Sequence, residues 1–371
     1  MMTSHLDTFA RDHLPPRAQW PELAFDLPEL QYPAQLNCAA ELLDKMVAAG
    51  HGARAAIRAP GLTWTYAELL AQANRIAHVL REDLKLVPGN RVLLRGPNNP
   101  QMAACWFAVI KAGGIAVATM PLLRAKELQQ IVDKAAVATA LCDARLMEEM
   151  LLAQQACPQL KTVVAFNGTG AQSLEALAAA KPATFDNVAT ALDDVALIAF
   201  TSGTTGQPKG TMHFHRDVLA MCDCFPRSIL KPGPDDVFCG TPPIAFTFGL
   251  GGMLCFPMRV GASTVLVEKL TPEALLQTIT EFKATVCFTA PTFWRQMAGL
   301  ARDHDITSLK KCVSAGEALP DATRQLWKEA TGIEIIDGIG ATEMIHIFIS
   351  HTPQAVRRGA TGYAIPGYQA R

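Results

Sequence analysis

Short apolar runs alternate along this chain with longer segments whose apolar positions recur at helical spacing. The pattern predicts strands at Arg91 to Leu94, Ile115 to Thr119 and Ala138 to Cys142, separated by helices at Gln101 to Lys111 and Lys126 to Ala135. A second set of strands is predicted at Val195 to Phe200, Val237 to Gly240, Thr264 to Val267, Thr285 to Phe288 and Glu334 to Asp337. Helices at Pro272 to Phe282 and Asp321 to Ala330 lie among them. This is the rhythm of α/β units with largely parallel sheets. Gly168 to Asp194 is alanine-rich with few bulky residues and contains Pro182, so it reads as the crossover between a first lobe, 1–190, and a second lobe, 191–371.

Composition narrows the class. The chain has 371 residues, half of them hydrophobic, and 33 basic against 34 acidic side chains. That is ample for a large core and gives no electrostatic reason to expect nucleic acid or an anionic membrane. The polar amino terminus lacks a signal-peptide core. The longest apolar stretch, Met102 to Leu123, is broken by Lys111, Gly113 and Gly114. It reads as buried helix, glycine turn and buried strand rather than a membrane span. Ten cysteines without paired spacing and without an export signal point to reduced thiols and a cytoplasmic protein. His213, His215, Cys222 and Cys224 cluster in sequence, but two cysteines two apart on a helix point about 200° from each other, so packed free thiols are expected there rather than a metal site.

The most informative stretch is Phe200-Thr-Ser-Gly-Thr-Thr-Gly-Gln-Pro-Lys-Gly210. It follows a buried strand and threads the hydroxyls of Thr201, Ser202, Thr204 and Thr205 with Gly203 and Gly206, then adds the charge of Lys209. Glycine lets backbone N–H groups point inward, and hydroxyls add donors, which suits phosphate. A helix beginning near His213 would bring a positive amino end to the same place. An ordinary strand-to-helix turn is the alternative. A Walker loop is not, because Lys209 is followed by Gly210 and not by Ser or Thr.

This segment resembles the phosphate loop of the adenylate-forming enzymes, which include acyl- and aryl-CoA synthetases. Ser314-Ala-Gly-Glu-Ala-Leu-Pro320 resembles the family's adenine-side turn, Asp337-Gly-Ile-Gly-Ala-Thr-Glu-Met344 its Thr-Glu motif, and Arg358 to Gly367 the glycine-rich segment after it. Thr63 to Leu69 and Ala108 to Gly114 also fit. The resemblance covers nearly the whole chain and is nearest to benzoate-CoA and 2-aminobenzoate-CoA ligases, which share the Gly-Ile-Gly variant. It implies two facing α/β lobes with mostly parallel sheets and a nucleotide lying between them.

The implied reaction joins a carboxylic acid to ATP as an acyl-adenylate and then passes the acyl group to coenzyme A. By resemblance, Thr201 to Gly206 and Lys209 hold the β- and γ-phosphates, Thr342 donates to the α-phosphate, and Glu343 binds Mg2+. Read alone, Glu343 could be a solvent-facing or capping acid. Gly316, Glu317, Asp337, Gly338 and Ile339 are assigned to adenine, with ordinary turn acids the alternative for Glu317 and Asp337. Phe246, Thr247, Phe248, Gly249, Ala315, Gly340 and His346 are assigned to the acyl pocket, completed by Gly338 and Ile339. Core packing remains the alternative for Phe246, Ile339 and His346. Amino-acid-activating relatives carry an Asp near the place of Thr247. Its absence here would leave a buried ammonium unpaired, so an aromatic acid is favoured.

Relatives in the family continue past the position of Arg371 with a ribose-binding aspartate, a hinge and a small lysine-bearing domain. The chain is therefore expected to be the large amino-terminal domain without that lid, weakly active or inactive by itself. A medium-chain acyl-CoA synthetase and a non-catalytic adenylate-binding module are the alternatives. A homo-oligomer is compatible with everything in the sequence.

Overall fold

A computed structural model describes residues 3–201 and 208–370. The first strands form a hairpin, β1 (Ala55–Ala59) and β2 (Leu62–Thr65), across Pro60 and Gly61. Gly61 has φ +74°, the conformation a proline-glycine turn requires of its second central residue. Then come β3 (Arg91–Arg95), β4 (Ile115–Thr119), β5 (Thr139–Asp143), β6 (Thr162–Phe166), β7 (Val195–Thr201) and β8 (Lys209–Phe214), with helices Pro100–Lys111, Ala125–Ala135 and Met147–Ala156 among them. These six strands make one sheet in the order β6-β5-β3-β4-β7-β8, parallel except for the β7–β8 pair.

A second run comprises β9 (Val237–Gly240), β10 (Ser263–Val265), β11 (Val286–Thr289), β12 (Lys311–Ser314), β13 (Ile335–Gly340), β14 (Ile347–Ser350) and β15 (Tyr363–Ala364). With β1 and β2 these form a nine-stranded sheet, ordered β15-β14-β13-β12-β11-β9-β10-β1-β2. Its six central strands are parallel and its edges antiparallel. The expected α/β class with mainly parallel sheets is what the chain forms.

Local signals account for the helix ends. Asn99 caps Pro100–Lys111 by accepting from the Met102 N–H at 2.9 Å, with Pro100 at the first helical position, where its missing donor costs nothing. Gln101 to Lys111 are all buried, and β4 follows, as expected for Met102 to Leu123. Among the described residues no helix is long and apolar enough to cross a membrane. All ten cysteines are buried and free. Cys239, Cys287 and Cys312 lie in register on β9, β11 and β12 and pack as small hydrophobes with Trp294, Trp327 and Ile335.

Two expectations about organisation are revised. The chain divides into two compact units, one of 1–25, 31–53 and 66–219, the other of 26–30, 54–65 and 220–371. The division falls inside the helix His215–Phe225, and not at residue 190, because β7 and β8 belong to the six-stranded sheet. For the same reason 168–194 links β6 to β7 within one sheet, and is not a crossover between lobes.

Candidate functional site

The phosphate-loop assignment falls on the first unit. Thr201 ends β7 and Lys209 begins β8, directly opposite each other, and Lys209 is exposed. Ser202, Gly203, Thr204, Thr205 and Gly206 lie outside the described residues. The helix expected near His213 begins at His215, because Lys209–Phe214 pairs along the length of β7 as a strand. Its amino end is already occupied. Asp217 accepts from the Phe214 N–H at 2.8 Å, the reciprocal half of a capping box, and burial pushes its carboxyl up to about 6. His215 is fully buried and accepts at Nδ1 from the Cys38 N–H at 3.1 Å. Burial lowers its imidazole to about 3. Among the described residues no group of three His, Cys, Asp or Glu is arranged to hold a metal ion.

The remaining assigned residues belong to the second unit, at the carboxyl edge of its parallel sheet. From β9 the chain steps to β10 on one side, then returns to build β11, β12 and β13 on the other. Such a reversal opens a crevice beyond the strand ends, the usual ligand position in an open α/β sheet. Thr289 pairs with Ser314 and Ser314 with Asp337, while Gly240 pairs with Phe288, one residue before Thr241 and Thr289. Thr241, Thr289, Ser314 and Asp337 therefore form one polar row across four neighbouring strands. The hydroxyls of Thr241 and Thr289 are 2.6 Å apart. Ser314 Oγ and Asp337 Oδ1 are buried without a hydrogen-bond partner, and burial raises the Asp337 carboxyl. Asp337 was expected at a ligand. Thr241, Thr289 and Ser314 as members of a row were missed, since only strand register aligns them.

Gly316 follows β12 with φ +92°, and both it and Glu317 are exposed. Gly338 is needed for close approach, because a Cβ there would lie 2.6 Å from Ile347 on β14. Ile339 is 45 % exposed and Phe246 is 42 % exposed, so neither is a core residue. Gly340 is exposed, whereas Ala315 and Thr247 are buried.

His346 is 2 % exposed and sits among four phenylalanines. Its ring centroid lies 4.5 Å from Phe256, 5.5 Å from Phe248, 5.9 Å from Phe225 and 6.4 Å from Phe288. Nε2 is 3.2 Å from the Phe248 carbonyl oxygen, and Nδ1 is buried with no partner. Burial holds the imidazole neutral, at about 3. A neutral ring donating from Nε2 keeps Nδ1 as a bare acceptor. Phe225, Phe256 and Phe288 were not expected in this group, because they come from three distant segments. The cage depends on glycine: a Cβ on Gly251 would lie 2.4 Å from His346, and one on Gly249 would lie 2.0 Å from the Pro243 carbonyl oxygen.

Thr342 and Glu343 occupy a single turn, Thr342–Met344, between β13 and β14. Glu343 is exposed. One exposed carboxylate does not make a protein cage for a metal, but it fits Mg2+, which is commonly held by one or two carboxylates together with substrate phosphates.

Residues 45–371 match the family model described as AMP-binding enzyme. The chain belongs to this family. As an AMP-binding enzyme it is similar to the benzoate-CoA ligase of Thauera aromatica, with 32 % identity over 93 % of this chain and 66 % of the relative. It is 33 % identical to the anthranilate-CoA ligase of Pseudomonas aeruginosa over 82 % of this chain and 57 % of that relative. Among solved structures, the anthranilate CoA ligase AuaEII in complex with anthranoyl-AMP superposes with a TM-score of 0.88 and 31 % identity, covering 92 % of this chain and 67 % of that one. The chain spans about two thirds of the length of the first of these curated relatives.

Proposed function

We propose that this chain binds ATP and an aromatic carboxylic acid of the benzoate or 2-aminobenzoate type and joins them as an acyl-adenylate. This is the first half of an acid–CoA ligase reaction. A carboxylate oxygen attacks the α-phosphorus as its bond to the pyrophosphate oxygen breaks, and the thiol of coenzyme A then displaces AMP from the mixed anhydride. The observation that carries the reading is the juxtaposition, on one sheet, of an aromatic cage around His346 with a row of polar side chains at the strand ends.

The roles follow from chemistry. Thr201 and Lys209, with 202–206, are the candidate contacts for the β- and γ-phosphates. Thr342 would donate to the α-phosphate. Asp337, Gly316 and Glu317 would read the adenine, with Gly338 and Ile339 against its face. Phe246, Thr247, Phe248, Gly249, Ala315, Gly340 and His346 would enclose the acid. Glu343 would hold Mg2+, which when bound offsets negative charge on the phosphates. Similarity to benzoate and anthranilate ligases supports an aromatic acid. The bare Nδ1 acceptor supports one with a donor on its ring. Near-balanced charge supports a small-molecule partner rather than nucleic acid, and buried free thiols support a cytoplasmic setting. A homo-oligomer is testable by sedimentation.

Isothermal titration with AMP, Mg-ATP, benzoate, 2-aminobenzoate and octanoate tests the reading, paired with pyrophosphate release. Tighter binding of the two benzoates than of octanoate is expected. Preference for octanoate would move the assignment to medium-chain acids. Nucleotide binding with no response to any acid would leave only an adenylate-binding module.

A further inference from the structure

Between the Thr342–Met344 turn and His346 stands one residue, Ile345, with φ +62° and ψ −33°. The His346 N–H donates to the Met344 carbonyl oxygen at 2.7 Å. An N–H bonded two residues back, across a central residue with positive φ and negative ψ, is the rare and strained form of γ-turn. Ile345 is the only β-branched residue among the described non-glycine residues with positive φ. Ala136, Lys231 and Lys283, which also have positive φ, have ψ of 53°, 59° and 47°, the ordinary left-handed helix cap. Branching at Cβ makes the Ile345 conformation costly, and such strain persists only where the surroundings over-determine it.

The surroundings do so from both sides. The Ile345 side chain is 3 % exposed. Its N–H donates to the Thr342 carbonyl oxygen at 3.0 Å, closing the turn that carries Thr342 and Glu343. The next residue is locked by the phenylalanine cage, and β14 starts at Ile347.

We propose that Ile345 is a positioning residue. Its strained γ-turn fixes the Thr342–Glu343 turn relative to His346, so that the Glu343 carboxylate is held ready for the cation of a Mg-nucleotide without searching other backbone states. A Cβ at this position limits the backbone states open to the turn, and the hydrogen bonds to the Thr342 and Met344 carbonyl oxygens, with the caged His346 ring, hold it in this one. This rests on the reading of Glu343 as the Mg2+ contact.

Two substitutions separate backbone from packing. Ile345→Gly frees the backbone, whereas Ile345→Ala removes the buried packing but keeps a Cβ. Titration of the whole chain with a non-hydrolysable ATP analogue, with and without Mg2+, and separately with benzoate, reads the result. Relative to wild type, Ile345→Gly is expected to weaken Mg-dependent nucleotide binding about tenfold while shifting Mg-free nucleotide and benzoate binding less than about threefold. Ile345→Ala should keep the Mg-dependent gain. Equal Mg-dependent binding by wild type and Ile345→Gly would overturn the proposal, as would equal loss in both variants. If wild type binds no nucleotide, the functional reading fails. Amide exchange at His346 then decides the positioning role: faster exchange in Ile345→Gly but not in Ile345→Ala supports it, and equal rates in all three overturn it.

Discussion

His346 and Phe248 are joined by a single hydrogen bond, ring Nε2 to backbone oxygen at 3.2 Å, and it ties the residue just before β14 to the helix that follows β9. Four phenylalanine rings and Gly251 lie against that imidazole. Burial thus favours the neutral ring, and the bond to Phe248 orients it. Replacing it with phenylalanine is expected to preserve the fold and to reduce preference for 2-aminobenzoate over benzoate, measured by titration with both acids. His346→Ala should instead cost about 3 kcal/mol of stability by leaving a cavity.

Stability should depend on pH through the same residue. The folded value lies near 3, below the ordinary 6.5, so the unfolded chain binds more protons as pH falls. The contribution is fully present above 6.5 and is lost as pH drops toward 3. His215 acts in the same direction and Asp217 in the opposite one. Comparing urea midpoints of wild type and His346→Phe between pH 7 and pH 4 isolates the effect, and the variant should lose less.

Lys111 is fully buried, with both carboxylate oxygens of Asp44 at 2.6 Å. Asn187 donates to the same carboxylate at 2.9 Å. Asp44→Ala would strand a buried ammonium, at a cost of about 3 kcal/mol or more in denaturant unfolding. Lys111→Met should cost less, because the partly exposed Asp44 can be hydrated. Equal costs would contradict this account.

Gly249 meets the Pro243 carbonyl oxygen where its Cβ would be, whereas Gly233 has open space at that position. Gly249→Ala is expected to destabilise by about 3 kcal/mol, because one backbone would have to move off another. Gly233→Ala should be nearly neutral. Thermal unfolding of the two variants side by side checks the contrast.

The Asp337 carboxyl is raised by burial, so its neutral form is favoured in the fold. That contribution is present below the ordinary 3.8 and is lost as pH rises through the folded value. Asp337→Asn should remove this pH dependence and keep AMP binding within about threefold, since an amide oxygen still accepts from an amine. Asp337→Ala should weaken AMP binding about tenfold if the carboxyl meets adenine. Equal AMP affinity in wild type and Asp337→Ala would remove the residue from the adenine site.

Much of the element map was legible because it is local. Val237–Gly240 and Pro272–Phe282 form with the expected limits, and Asp321–Thr331 differs by one residue. Among the strands that escaped was β8. Lys209-Gly-Thr-Met-His-Phe214 has no clean alternation, and the charged and glycine positions next to the loop made it look like a turn leading to a helix. It is a strand because β7 offers it an edge. The hairpin of β1 and β2 escaped for a related reason: its partner β10 lies about two hundred residues later in sequence.

The amino-acid sequence by itself determined the α/β class, the helix caps, the order of the motifs and the family to which they point. These follow from short-range periodicity, from the conformational limits of glycine and proline, and from side-chain chemistry in fixed order. Tertiary structure decided which sheet each strand joins, that Thr241, Thr289, Ser314 and Asp337 form one row, that four separated phenylalanines enclose His346, and that Ile345 is held in a strained turn. Register between strands is a non-local choice, made by whole buried faces competing for partners, and no window of neighbouring residues contains it.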